Sequence, residues 1–219
     1  MTWHDAFRIA QRWRLFGLAA GATLLGVAGI WLSTSSKSSS ESAAPDGNAT
    51  PPWVFGRSDA RFRIVEFADL ECPYCRAYFS HLQQLVQTHA EVSWEWRHLP
   101  LSIHEPRATQ LARVAECAGE QGGNSAFWKA VEGIYRNEPP VLSARIKRCL
   151  SSRRSDVIIA AQAAEARQAK VDATPTLRIV DQKSGRSIAL QGMIETDALL
   201  SAMDWLAAPE RASDPVGER

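Results

Sequence analysis

The chain has 219 residues, 45% of them hydrophobic and 22% charged, and its 25 Lys and Arg against 24 Asp and Glu leave a net charge of +1. That balance suits one globular domain of ordinary size and excludes the strong field that draws a protein to nucleic acid or acidic lipid. Four cysteines are too few for a small secreted disulfide scaffold; they divide into a close pair, Cys72 and Cys75, and a distant pair, Cys117 and Cys149, an even count that suits an oxidising compartment.

The first fifty residues read as an address. Leu15 to Leu32 contains 18 uncharged residues, and at 1.5 Å per residue such a helix spans about 27 Å, close to a bilayer core. Arg8, Arg12 and Arg14 precede it, only Lys37 follows closely, and Trp13 and Trp31 bracket it. The positive-inside rule then leaves residues 1–14 in the cytoplasm and exports the rest across the inner membrane, with residues 15–32 as a single-pass transmembrane signal anchor. A cleaved signal peptide is the second reading, since Ser33-Thr34-Ser35 offers small residues, and a buried core helix is the third. The first two agree that the remainder lies outside the cytoplasm. Residues 33–52, rich in Ser and Pro, read as a flexible tether. The acceptor pattern Asn48-Ala49-Thr50 is too common by chance to carry weight.

From Trp53 onward the sequence takes the pattern of a folded α/β domain, 53–208. Phe62 to Ala68 is β-branched and aromatic and predicts a strand. A helical period follows from about Cys72 to Thr88, with Tyr78, Phe79, Leu82, Leu85 and Val86 on one face. Val92 to Arg97 alternates as a second strand, so β-α-β builds a parallel pair. Residues 105–170 read as helical almost throughout. Leu111, Val114, Ala115 and Ala118 share one face, Phe127, Trp128, Val131, Ile134 and Tyr135 another, and Pro139-Pro140 break the run before helices at Leu142–Leu150 and Asp156–Gln168. Thr176 to Val180 and Ser187 to Leu190, joined across Lys183-Ser184-Gly185, predict a hairpin, Thr196 to Leu206 predicts a last amphipathic helix, and 209–219 reads as a frayed, disordered tail. The expected architecture is a mixed sheet, β-α-β then β-β-α, covered by helices, with a helical insertion between its halves.

The chemistry gathers at Cys72-Pro73-Tyr74-Cys75. Two cysteines at this spacing can close a small disulfide ring where a helix begins. Unpaired N–H groups and the partial positive charge of the helix favour the thiolate of Cys72, the expected nucleophile. Cys75, one turn deeper, is placed to resolve a mixed disulfide, and Pro73 costs no hydrogen bond at the first helical position. Half of a zinc site and a purely structural pair are the competing readings; Cys117 and Cys149 lack ligand-like spacing, so no metal is expected. Glu66, in a strand expected to be central, has the position of a buried acid able to relay a proton to Cys75, or else points to solvent from a strand edge. His98 and His104 fit capping or packing better than catalysis. Thr174-Pro175-Thr176 opens the hairpin; Pro175 is a strand boundary, or a cis proline that exposes the Thr174 backbone to an extended substrate.

Taken in order, Phe67-x-Asp69-x-x-Cys72-Pro73-Tyr74-Cys75, Pro100-Leu101-x-x-His104, Cys117-Ala118-x-x-Gln121-Gly122 with Phe127-Trp128, and Thr174-Pro175-Thr176 resemble the DsbA-like branch of the thioredoxin superfamily over about Trp53 to Ala207. The resemblance implies a thioredoxin-like fold with a helical insertion and a cis bond at Thr174–Pro175 against the active-site cysteines. By position it makes Cys72 the nucleophile, Cys75 the resolving thiol and Glu66 the buried acid, with Pro73, Tyr74, Thr174 and Pro175 facing substrate. Some branches carry a second, structural disulfide, which here implies Cys117–Cys149; two small buried thiols are the alternative. No cofactor is implied beyond the redox-active Cys72–Cys75 disulfide. The implied partners are exported proteins with free thiols and a membrane partner that re-oxidises the pair, with no nucleic acid; the bilayer is reached through the chain's own amino-terminal helix. An oxidase working in the periplasm is the leading expectation. A disulfide isomerase or reductase, or a tethered binding or chaperone module without redox turnover, is the alternative. The tether at 33–52 is too short and too polar to be the amino-terminal dimerisation domain of the related dimeric isomerases.

Overall fold

The computed structural model describes residues 51–138 and 140–209. The expected anchor at 15–32, the segments at 1–14 and 33–50, Pro139 and the tail beyond 209 lie outside the described residues. Among those described, no helix is long and apolar enough to cross a membrane.

Strand β1 (Val54–Gly56) is followed by β2 (Phe62–Ala68), α1 (Pro73–Thr88) and β3 (Val92–His98). After a 3-10 turn at Ser102–His104 come α2 (Arg107–Tyr135), α3 (Ala144–Ser152), α4 (Arg154–Gln168), β4 (Thr176–Asp181), β5 (Ser187–Gln191) and α5 (Thr196–Ala207). The sheet runs β1-β3-β2-β4-β5. Only β2 and β3 are parallel, from Phe62 opposite Val92 to Ala68 opposite His98, because α1 crosses over between them. The hairpin β4–β5 and the edge strand β1 pair antiparallel. This is the mixed sheet expected from the sequence, with β1 added. Its three residues are too few to show a period.

β2 is central and nearly all of it is buried. Its alternate side chains serve two cores. Ile64 joins Trp94, Trp96, Leu177 and Ile179 in the larger core, covered by α1, α2 and α5, while Val65 and Phe67 meet Leu99 and Ala166 of α4 on the other face. α1 contributes Tyr78, Phe79, Leu82, Leu85 and Val86 to the larger core, each such burial stabilising by about 1.5–3 kcal/mol. Around Phe79 the rings of Trp94, Trp128 and Tyr135 close together, Trp94 and Trp128 with centroids 4.5 Å apart.

The insertion is α2, α3 and α4. The two apolar faces read in 105–135 fall on two helical segments of α2 that meet at a kink at Gly123, with φ 69° and ψ −161°, a conformation open to glycine and strained for other residues. Cys117 of α2 and Cys149 of α3 are disulfide-bonded with Cα atoms 5.7 Å apart, in a small cluster with Ile146 apart from the main core. The short α3 buries only Ile146 and Cys149, and the bridge ties it covalently to α2.

Candidate functional site

The site grows out of the junction between β2 and α1. Cys72 is the residue before the first helical turn, in extended conformation at φ −67° and ψ 122°, with Pro73 next. Its N–H donates to the Asp69 carbonyl at 3.1 Å, and its own carbonyl accepts the Arg76 N–H at 3.1 Å. The reactive sulfur is thus pinned where the helix N–H groups converge. Both sulfurs are nearly covered: Cys72 is 3% and Cys75 1% exposed, whereas Tyr74 between them is 62% exposed. The two thiols are free.

Their electrostatics diverge. The Cys72 thiol is lowered to about 5, chiefly because Cys75 donates a hydrogen bond to the thiolate; burial opposes this, and Thr174 and the backbone N–H groups of Cys75 and Tyr74 assist. Cys75 is pushed far up by that same bond, then by burial and by the charge of Glu66. One sulfur of the pair takes the charge and the other keeps the proton. Glu66 lies on the core face of β2, 1% exposed, and accepts the Trp94 indole N–H at 3.0 Å. Burial raises its carboxyl to about 8 against the lowering effect of Trp94, and the Cys72 charge adds to the rise. The reading of Glu66 as a solvent-facing edge residue is therefore corrected.

Thr174 arrives from the far side. Its carbonyl oxygen is 3.5 Å from Cys72 Sγ and can accept the thiol proton. The Thr174–Pro175 bond is cis, and the Pro175 carbonyl accepts the Gly192 N–H at 2.8 Å, which brings the loop after β5 to the site. Three exposed apolar side chains belong to segments that reach the site: Tyr74 in the motif, Ile103 next to His104 and Met193 next to Gly192.

Cys72, Pro73, Tyr74, Cys75, Glu66, Thr174 and Pro175 are thus brought together, and Cys117 and Cys149 stand apart in the insertion. The sequence reading missed Trp94 as the partner of Glu66; the signal was there, since both lie on the same face of two strands expected to pair. It also gave Asp69 no role beyond its place in the motif that carries the resemblance. The Asp69 carboxylate is buried and accepts the N–H groups of Glu71 and Leu101 at 2.8 Å each, with His104 Nδ1 at 2.8 Å. An acid three residues before a helix-opening cysteine is a turn signal that could have pointed to it. His98 is a packing residue, buried between the Trp96 indole at 3.0 Å and Glu116 at 3.2 Å. Among the described residues, no three His, Cys, Asp or Glu side chains are grouped to hold a metal ion. The arrangement can attack, resolve and move a proton.

Residues 48–196 match the family model described as Thioredoxin. The chain is similar to the solved structure of DsbA2 from Pseudomonas aeruginosa, with 38% identity and a TM-score of 0.67 over 77% of this chain and 98% of that one. A thioredoxin-like oxidoreductase from Silicibacter pomeroyi DSS-3 shares 25% identity with a TM-score of 0.59, over 73% of this chain and 92% of that one. Among curated sequences, Na(+)/H(+) antiporter NhaA 3 of Salinispora tropica is 36% identical over 95 residues, 43% of this chain and 14% of that protein. The chain therefore spans a small part of that relative's length.

Proposed function

This chain belongs to the DsbA-like thiol–disulfide oxidoreductases of the thioredoxin superfamily, and on that premise we propose that it is an oxidase acting outside the cytoplasm, donating a Cys72–Cys75 disulfide to exported proteins. The observation that carries the oxidase reading is the placement of Cys72 at the start of α1, where the Cys75 hydrogen bond and the helix N–H groups stabilise its thiolate and lower its pKa to about 5. A stabilised thiolate favours the reduced enzyme and makes Cys72 a good leaving group, and both drive the disulfide toward substrate.

The steps balance as follows. A client thiolate attacks Cys72 Sγ of the disulfide; a client–Cys72 bond forms and the Cys72–Cys75 bond breaks. Cys75 departs with the electron pair and takes a proton, for which Glu66, protonated up to about 8, is the donor. A second client thiolate then attacks the client sulfur of the mixed disulfide and releases the Cys72 thiolate. The client is oxidised by two electrons and the enzyme pair is reduced. A membrane redox partner returns it to the disulfide.

Tyr74, Ile103 and Met193, 62%, 81% and 48% exposed, make an apolar rim suited to clients that still expose apolar side chains, with Pro73, Thr174 and Pro175 beside the attacked sulfur. The anchor-like run at 15–32, with its preceding arginines, supports a tether to the inner membrane with the domain on the periplasmic side. The structural bridge Cys117–Cys149 accords with an oxidising compartment.

The test is equilibration of the pair with glutathione. A potential more positive than about −200 mV supports the oxidase, and one near the thioredoxin value of about −270 mV makes the protein a reductase. Cys75→Ala serves as a second probe: it accumulates client adducts at Cys72, and their absence would leave a binding module as the better reading.

A further inference from the structure

A buried carboxyl keeps its proton unless something stabilises the charge left behind, so an acid that must give and recover a proton needs a donor beside it. Glu66 is such a group, buried on the core face of β2. Among the described residues, the hydrogen bond of its side chain is the one from Trp94, indole N–H to Oε2 at 3.0 Å. In register, β3 sets Trp96 opposite Glu66 and β4 sets Leu177 there, and neither brings a charge. The titratable groups that feel the carboxylate are Cys75, Tyr78 of α1 and Tyr135 of α2, and Cys72 acts back on it. None of these is a cation.

Packing fixes the Trp94 ring. It is fully buried, with the Trp128 centroid at 4.5 Å, Phe79 at 5.2 Å, Phe55 at 6.2 Å and Trp96 at 6.3 Å. Those neighbours come from α2, α1, β1 and β3, so the ring is held from several sides and its N–H stays aimed at Glu66. An indole N–H donates and never accepts. The oxygen it meets must therefore accept, which in a protonated carboxyl is the part of the carbonyl oxygen. The hydroxyl then falls to Oε1.

We propose that Trp94 is a positioning residue for Glu66: its N–H holds Oε2 as the acceptor, places the exchangeable proton on Oε1, and supports the carboxylate left when that proton passes to Cys75. This role rests on the proposed oxidase reading and deepens it. When a client thiolate opens the disulfide, Cys75 leaves with the electron pair of the S–S bond. The Oε1–H bond breaks, an S–H bond forms, and the electron pair of the O–H bond stays on the carboxylate. There the Trp94 bond strengthens, because its acceptor has become charged. Burial raises the carboxyl and Trp94 draws it back, to about 8. A Trp94 that only filled the aromatic cluster could become Phe without changing the acid.

The test uses the full chain in detergent, reduced, with glutamate carboxyls labelled for carbon NMR. Trp94→Phe keeps a ring in the cluster and removes the N–H. The Glu66 midpoint should rise by about one pH unit. Expulsion of Cys75, followed in single-turnover mixing at neutral pH, should slow by about threefold to tenfold. An unchanged midpoint or an unchanged rate overturns the proposal and leaves Trp94 a packing residue. A second measurement needs no folded variant: the Trp94 indole N–H resonance of the unaltered protein is followed against pH. It should move with the Glu66 midpoint, and a resonance that stays still while Glu66 titrates overturns the proposal. A glutathione potential near the thioredoxin value would instead defeat the oxidase reading and leave both Trp94 measurements as they are, so the two failures are distinguishable.

Discussion

The two cysteine pairs of this molecule have the same chemistry in principle and opposite roles in practice. Cys117 and Cys149 sit inside helices, in an apolar cluster with Ile146, already bonded to each other. Cys149 Sγ lies 3.3 Å from Glu120 Oε2, but neither cysteine opens a helix, where converging N–H groups would favour a thiolate. Cys72 and Cys75 are also buried, but at a helix start, above Glu66, beside Asp69 and against the Thr174 carbonyl. Burial is therefore not what separates a structural sulfur from a reactive one. The difference lies in whether a helix start's N–H groups and a partner thiol that keeps its proton stabilise it as a thiolate.

That contrast can be broken most directly at the sulfur itself. Cys72→Ser should slow oxidation of a reduced client peptide by about 10³-fold or more, because a hydroxyl at this site is a poor nucleophile and leaving group. The double change Cys117→Ala with Cys149→Ala should leave that rate within about twofold, judged by the separation of the two pairs. A large rate loss in the double variant would mean the pairs exchange electrons. The same double variant should instead lose stability, by about 3–4 kcal/mol in denaturant unfolding, from the loop closure that a bridge over 32 positions of sequence removes from the unfolded chain.

Glu66→Gln sharpens the comparison within the reactive pair. Loss of the buried acid should cost about 10²-fold in the step that expels Cys75, seen in single-turnover mixing with a client thiol. The smallest effect is in pH dependence, because two terms oppose. Cys72, at about 5 when folded against an ordinary 9.0, binds fewer protons folded than unfolded, so it stabilises the reduced protein fully above 9 and loses that contribution as pH falls through 5. Glu66, raised from 4.5 to about 8, binds more protons when folded; its contribution is present below 4.5 and lost as pH rises through 8. In Glu66→Gln the opposing Glu66 contribution is gone, so reduced-state stability should climb more steeply between pH 5 and 8 than in the unaltered chain. A flat profile would contradict both assignments.

Much of this arrangement was legible from residue order. The β-branched and aromatic run Phe62–Ala68, the helical face from Tyr78 to Val86 and the hairpin after Pro175 declared the sheet and its crossover, because each depends on local patterns. The cysteine motif at a helix start likewise revealed its chemistry. β1 was not legible, since three residues carry no period and their pairing with β3 depends on Trp53 being drawn into the core. The clamp made by Asp69 was hidden for a different reason: its partners Leu101 and His104 lie across a strand and a helix, and nothing local marks a buried carboxylate. The break at Gly123 separates the two apolar faces that the sequence showed separately, and the backbone there is non-helical.

Trp53 is the first buried residue of the described chain. Its ring stacks on Phe127, its indole N–H reaches Glu116 at 3.0 Å, and Gly119 lies so close that a methyl group there would come within 2.5 Å of the ring. The polypeptide therefore enters its domain through a plug rather than a loose hem. Tension from the upstream side meets a wedged indole before it can peel away the short strand beyond. Proteolytic shaving as far as Pro52 should spare the domain, and a cut past Trp53 should pull the stopper.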